Sequence, residues 1–102
     1  MNIYTMLPAP EVAADLGRRL KTKRLAHNLT QSGLAERSGV PLGTLKKFER
    51  TGVISLVSFV RLLVALGEQT GLERLFEKDD QDAMTLDQLL SAPKARRRGR
   101  IN

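Results

Sequence analysis

Residues 30–50, TQSGLAERSGVPLGTLKKFER, decide how the chain folds. They read as two short helices joined by a tight glycine turn. Ala35 must be small because the two helices cross there at close range. Gly39 supplies the positive φ that reverses the chain at little cost. Val40, Leu45 and Phe48 fall on one face of the second helix and predict its buried side. The opposite face carries Thr44, Lys46, Lys47 and Arg50, groups whose chemistry suits phosphates and base edges.

Outward from this stretch, the spacing predicts further helices. Val12, Ala13, Leu16 and Leu20 recur at three- and four-residue intervals and predict a helix from just after Pro10 to about His27. Its residues Arg18, Arg19, Lys21 and Lys23 lie mostly outside. Asn28 suits a left-handed cap, and Leu29 drops into the core after it. Thr30 is the expected N-cap of a helix over 31–37. Gly33 stands where Glu would complete a capping box, and it costs that helix about 1 kcal/mol relative to alanine. Pro41 opens a helix running to about Arg50, which Thr51-Gly52 stops. Ser55 caps a helix over 56–66 whose Leu56, Phe59, Val60, Leu62, Leu63 and Leu66 exceed one buried face, so part of it is expected to meet another subunit. Gly67 ends it, and a short helix over 70–76 carries Leu72, Leu75 and Phe76. The expected class is all-α, five helices in a small bundle.

The domain organisation follows from composition shifts. Residues 1–10 form an arm closed by Pro8 and Pro10, and residues 11–77 form the helical domain. Residues 78–91 are an acidic linker with a leucine-bearing turn at Leu86, Leu89 and Leu90. Residues 92–102 form a basic tail with almost no apolar content, expected to be disordered. Residues 1–77 carry eleven Lys/Arg against seven Asp/Glu, and the tail adds five more positive charges. A net charge of +6 raises the expectation of a nucleic-acid partner without settling it.

Composition excludes several classes. At 102 residues the chain has room for one modest core, and 4% aromatics imply that Leu, Val and Ala build it. Without cysteine there are no disulfides or thiolate metal sites. The lone His27 cannot form a metal site and reads as a surface or helix-end residue. Asp79, Asp80 and Asp82 lack the Gly and terminal Glu of a calcium loop. No phosphate-binding Gly-rich loop, nucleophile pair or paired carboxylates speak for an enzyme. No cofactor is expected. No run approaches the roughly 18 apolar residues of a membrane span, and the N-terminus lacks a signal-peptide pattern, so a cytoplasmic protein is the default.

With these residues in place, the chain resembles the lambda-repressor-like (XRE-type) helix-turn-helix family over about residues 14–77. The resemblance rests on Leu16, Leu20 and Arg24, the run Leu29-Thr30-Gln31, the turn Ser38-Gly39-Val40, and Phe48-Glu49. The segment 43–52, with Ile54-Ser55-Leu56 and the later Leu62-Leu63 to Leu66-Gly67, is similar to the branch of HipB-like antitoxins. The resemblance implies a DNA-binding transcriptional repressor, a homodimer on an inverted-repeat operator in double-stranded DNA. It also implies a HipA-type kinase toxin as partner. Alternatives are a stand-alone repressor of phage or restriction-modification type, or a protein-interaction module that neutralises a partner.

Site residues follow from the same resemblance. Thr30 and the amides around it would grip the DNA backbone, and Gln31 would contact a phosphate and buttress the reading helix. Leu42, Gly43, Thr44, Lys46 and Lys47 occupy positions that face the major groove, with Arg50 on the same outer face. Leu42 has two readings, contact with a thymine methyl or rest against the turn. Gly43 adds no side-chain readout, leaving more to phosphate contacts and DNA shape. Arg24 and Glu49 match a structural ion pair between the first and third helices.

Overall fold

Two prolines launch the first helix. Pro8, at φ −62° and ψ 152°, is the N-cap of α1 (Ala9–Ala26), and Pro10 sits in its first turn, where a missing N–H leaves no bond unmade. The helix therefore begins two residues before the expected start after Pro10. A computed structural model of the protein describes residues 3–77. The linker, leucine turn and basic tail expected over 78–102 lie outside the described residues. Four further helices follow: α2 (Gln31–Ser38), α3 (Leu42–Thr51), α4 (Leu56–Ala65) and α5 (Gln69–Glu73). The described residues contain no strand, so the all-α architecture is as expected. Residues 3–72 belong to one compact unit, and 73–77 to a second.

The caps explain the boundaries. His27 closes α1, and Asn28 takes the left-handed conformation (φ 59°) that its sequence position predicts. Thr30 Oγ1 accepts the N–H of Gly33 at 2.9 Å, satisfying one orphan donor of α2. α2 ends at Gly39 (φ 78°), whose N–H bonds the Ala35 carbonyl at 2.9 Å. Ser38 Oγ accepts the Val40 N–H at 3.2 Å and braces the turn. Pro41 is extended (ψ 142°) and is the N-cap of α3 rather than its first helical residue. Ser55 caps α4 as expected, accepting from the Ser58 N–H at 3.2 Å.

The buried cluster comprises Leu20, Leu34, Ala35, Val40, Leu45, Phe48, Leu62 and Leu66, with Leu16, Leu29, Leu42, Phe59 and Leu63 packed partly against it. Phe48 and Phe59 meet edge to face, ring centroids 5.6 Å apart. α4 buries Leu62, and its C-cap Leu66 is buried too, but Leu56 and Val57 are exposed. α5 corrects the sequence expectation of a helix over 70–76. It stops at Glu73, Leu75 is exposed, and Phe76 is fully exposed in a left-handed conformation (φ 64°). Five residues with Gly71 at their centre bring little propensity, so the chain turns out of helix early.

α1 crosses α3 closely, at a place the sequence did not mark. A Cβ on Gly17 would stand 2.3 Å from the Phe48 carbonyl oxygen, a backbone atom that no rotamer change can move. Gly17→Ala is expected to force α1 and α3 apart and to cost about 1–3 kcal/mol. Urea unfolding checks this; an alanine variant as stable as the parent would mean that the helices slide apart freely.

Candidate nucleic-acid interface

α3 presents two faces with opposite fates. Leu45, Phe48 and Glu49 are buried in the domain, and α3 is the most strongly amphipathic of its longer helices. Gly43, Lys46, Lys47 and Arg50 are exposed, at spacings of three, four and seven residues that place them in one stripe. Thr44 is half-buried beside that stripe. Leu42, the first residue of α3, is half-buried and packs against the core cluster.

The cations of this stripe differ from Arg18, Arg19 and Lys23 of α1. Arg18 pairs with Asp15 at 3.6 Å, and Lys23 with Glu68 at 2.9 Å. Arg19 donates to the Tyr4 hydroxyl at 2.9 Å, and this hydrogen bond is the main reason its guanidinium is held above the ordinary arginine value. Among the described residues, Lys46, Lys47 and Arg50 form no ion pair. No carboxylate of the described residues offsets their charge.

Behind the stripe, α3 is fixed by a buried polar network. Arg24 Nε and one terminal nitrogen donate to the two carboxylate oxygens of Glu49 at 2.7 and 3.0 Å. The other terminal nitrogen donates to the Leu29 carbonyl at 2.8 Å. Gln31 Nε2 donates to Glu49 Oε1 at 3.0 Å. The fork of Arg24 matches the carboxylate bidentately, a geometry that lysine cannot supply. The Glu49 carboxylate on α3 thereby joins α1 and the first residue of α2, and Arg24 extends the network to the loop after α1. The Arg24–Glu49 pair came from the resemblance. The resemblance implied that Gln31 buttresses the reading helix, but neither its bond to Glu49, across eighteen residues, nor the Leu29 carbonyl as an acceptor for Arg24 is marked by local spacing.

Another link escaped the sequence reading. The N-terminal stretch Ile3–Met6 forms one 3-10 turn, and its Tyr4 hydroxyl donates to Asp15 Oδ2 while accepting from Arg19. The arm is tied to α1 at these residues. His27, as expected, is an exposed helix-end residue. The described residues hold no cluster of His, Asp and Glu able to bind a metal, and no helix among them is long and apolar enough to cross a membrane.

A small helical domain that holds a basic helix outward against a two-helix turn is built for nucleic acid. Residues 20–71, just over half of the chain, match the helix-turn-helix family, and the chain belongs to it. The fold is lambda-repressor-like, and the family is one of DNA-binding transcription regulators, usually without enzymatic activity. No curated protein matches the chain significantly.

Proposed function

We propose that the protein is a sequence-specific repressor that binds an inverted-repeat operator as a homodimer, with α3 reading each half-site. The observation that carries this reading is the exposed stripe of Lys46, Lys47 and Arg50, without ion-pair partners among the described residues, opposite the buried Leu45, Phe48 and Glu49. Lys46 and Lys47 donate to guanine O6 and N7 or to phosphates, and the Thr44 hydroxyl serves either. Thr30, the α2 amides and Gln31 hold the DNA backbone. Gln31, tied to Glu49, couples that grip to the orientation of α3. The half-buried Leu42 supports the reading in which it rests against the turn. The domain acting on DNA is residues 11–77, and exposed Leu56 and Val57 on α4 supply apolar surface for the second subunit.

Within this function, the similarity of segments 43–56 and 62–67 to HipB-like antitoxins supports an antitoxin that represses its own operon and binds a HipA-type kinase toxin. A kinase-like reading frame beside the gene, whose product forms a stable complex with this chain in size-exclusion chromatography, is the expected finding. A phage or restriction-modification neighbourhood instead would favour a repressor acting alone.

DNA affinity is expected to fall steeply as salt rises, because each lysine–phosphate contact releases condensed counterions. Titrating a duplex from the gene's own upstream region across ionic strengths measures the slope. Lys46→Ala with Lys47→Ala is expected to abolish discrimination between that duplex and random DNA while helical circular dichroism stays at the parent level. A flat salt response ends the repressor reading, and loss of folding in the double variant would put both lysines on the wrong face.

A further inference from the structure

Among the described glycines, Gly39, Gly52 and Gly67 have positive φ, a Cβ on Gly17 would strike backbone, and one on Gly33 would stand 3.2 Å from Thr30 Oγ1. Each of these is required or favoured by the fold. Gly43 and Gly71 differ. Both lie in helices without positive φ, and no atom of the described residues comes within 4 Å of the place a Cβ would take. Glycine weakens a helix relative to alanine, so neither helix gains from it. Gly43 also shares the exposed stripe with Lys46, Lys47 and Arg50, and it is the one member of that stripe without a side chain.

We infer that Gly43 is a positioning residue of the DNA interface, its bare backbone letting the start of α3 approach the base edges more closely than any side chain would allow. The inference rests on the reading of α3 as the helix that enters the major groove. Unlike Gly71, Gly43 lies in the exposed basic stripe, and close approach of backbone to a ligand is a use glycine has on such a surface. Pro41 before it has no hydrogen-bonding side chain, and Leu42 is turned partly into the core, so ahead of Thr44 the start of α3 offers mainly backbone to a groove. A methyl at position 43 would stand in that contact as an overpacked atom.

The test uses the full chain, a duplex that the wild-type protein selects from a random-sequence pool, and an unrelated duplex of equal length. Gly43→Ala is expected to melt no lower than the parent, to bind the selected duplex about tenfold or more weakly, and to bind the unrelated duplex within about twofold of the parent. The loss is confined to the specific complex because phosphate contacts do not need the close seat. Gly71→Ala, with the same open surroundings in α5, is expected to melt no lower and to bind both duplexes as the parent does. Equal or tighter binding of the selected duplex by Gly43→Ala overturns the inference, as does a fall in its melting temperature, which would make Gly43 a requirement of the fold. Failure of the wild-type chain to enrich any sequence removes the DNA reading itself and this inference with it.

Discussion

Glu49→Ala is expected to destabilise the domain by about 3–5 kcal/mol, because it leaves the Arg24 guanidinium buried without its counter-charge. Both side chains of the pair are nearly sealed from solvent, 6% and 4% exposed. Removing the carboxylate strands two donors of Arg24 and the amide of Gln31 at once, and only the Leu29 carbonyl remains for the guanidinium. Such a loss is a large share of the roughly 5–15 kcal/mol that holds a domain folded. The pair as a whole contributes far less than its breakage costs, since burying two charges offsets much of their attraction. The double variant Arg24→Met with Glu49→Leu is therefore expected to recover most of the lost stability. Denaturant midpoints of the parent, both single variants and the double close the cycle. A single variant within about 1 kcal/mol of the parent would show that water reaches the guanidinium and that the network is not sealed. DNA binding then separates stability from orientation: the restored double variant lacks the link from Gln31 to α3, and its operator affinity is expected to stay below that of the parent.

What the sequence disclosed about this fold was its local chemistry. Thr30 capping α2, Asn28 and Gly39 in left-handed conformations, Ser55 capping α4, and Leu45 with Phe48 inward all follow from a few neighbouring residues. What stayed hidden depends on elements far apart in the chain. Nothing in the sequence pattern singles out Gly17, and only the approach of the Phe48 carbonyl shows why no Cβ fits there. Gly52 reads as a helix stop, yet a Cβ on it would also strike the Ala13 backbone at 2.3 Å. Tyr4 lies in an apolar stretch that gave no firm expectation, and its tie to Asp15 and Arg19 depends on where the arm turns back. The end of α5 was misplaced because Leu72, Leu75 and Phe76 have helical spacing, although Leu75 and Phe76 find no burial among the described residues. Periodicity reports a face that can be buried, not one that is. For the candidate interface, the exposed cations were legible from the alternation with Leu45 and Phe48. That they lack ion-pair partners among the described residues was not, nor was the Lys23–Glu68 pair, which forms only in the folded chain, whereas the Arg18–Asp15 pair is one that helical spacing allows.

Phe48→Ala is expected to cost about 3–5 kcal/mol and to leave a domain of this size mostly unfolded at 37 °C. Phe48 is 2% exposed and is among the largest fully buried side chains. Truncation removes its transfer free energy and opens a cavity, because the helices around it relax only partly. The edge-to-face contact with Phe59 adds about 0.5–1.5 kcal/mol beyond area alone, and alanine loses that too. Relaxation is further limited by the close crossing behind the ring, where Gly17 already lets α1 rest on the Phe48 carbonyl. Phe48→Leu, which keeps most of the volume but not the ring, is expected to retain a cooperative transition with a lower denaturant midpoint. The functional consequence follows from register. Phe48 is the inward residue next to Lys47 and two from Lys46, so the ring that fills the core also fixes the direction in which both lysines point. At temperatures where Phe48→Leu remains folded, its affinity for the operator is expected to fall more than its affinity for random DNA, since phosphate contacts tolerate a tilted helix and base-edge contacts do not. Equal losses on both duplexes would mean that packing under α3 sets stability alone. An alanine variant with a denaturant midpoint near that of the parent would show that the surrounding leucines collapse into the space, and that the core is looser than the burial of Phe48 implies.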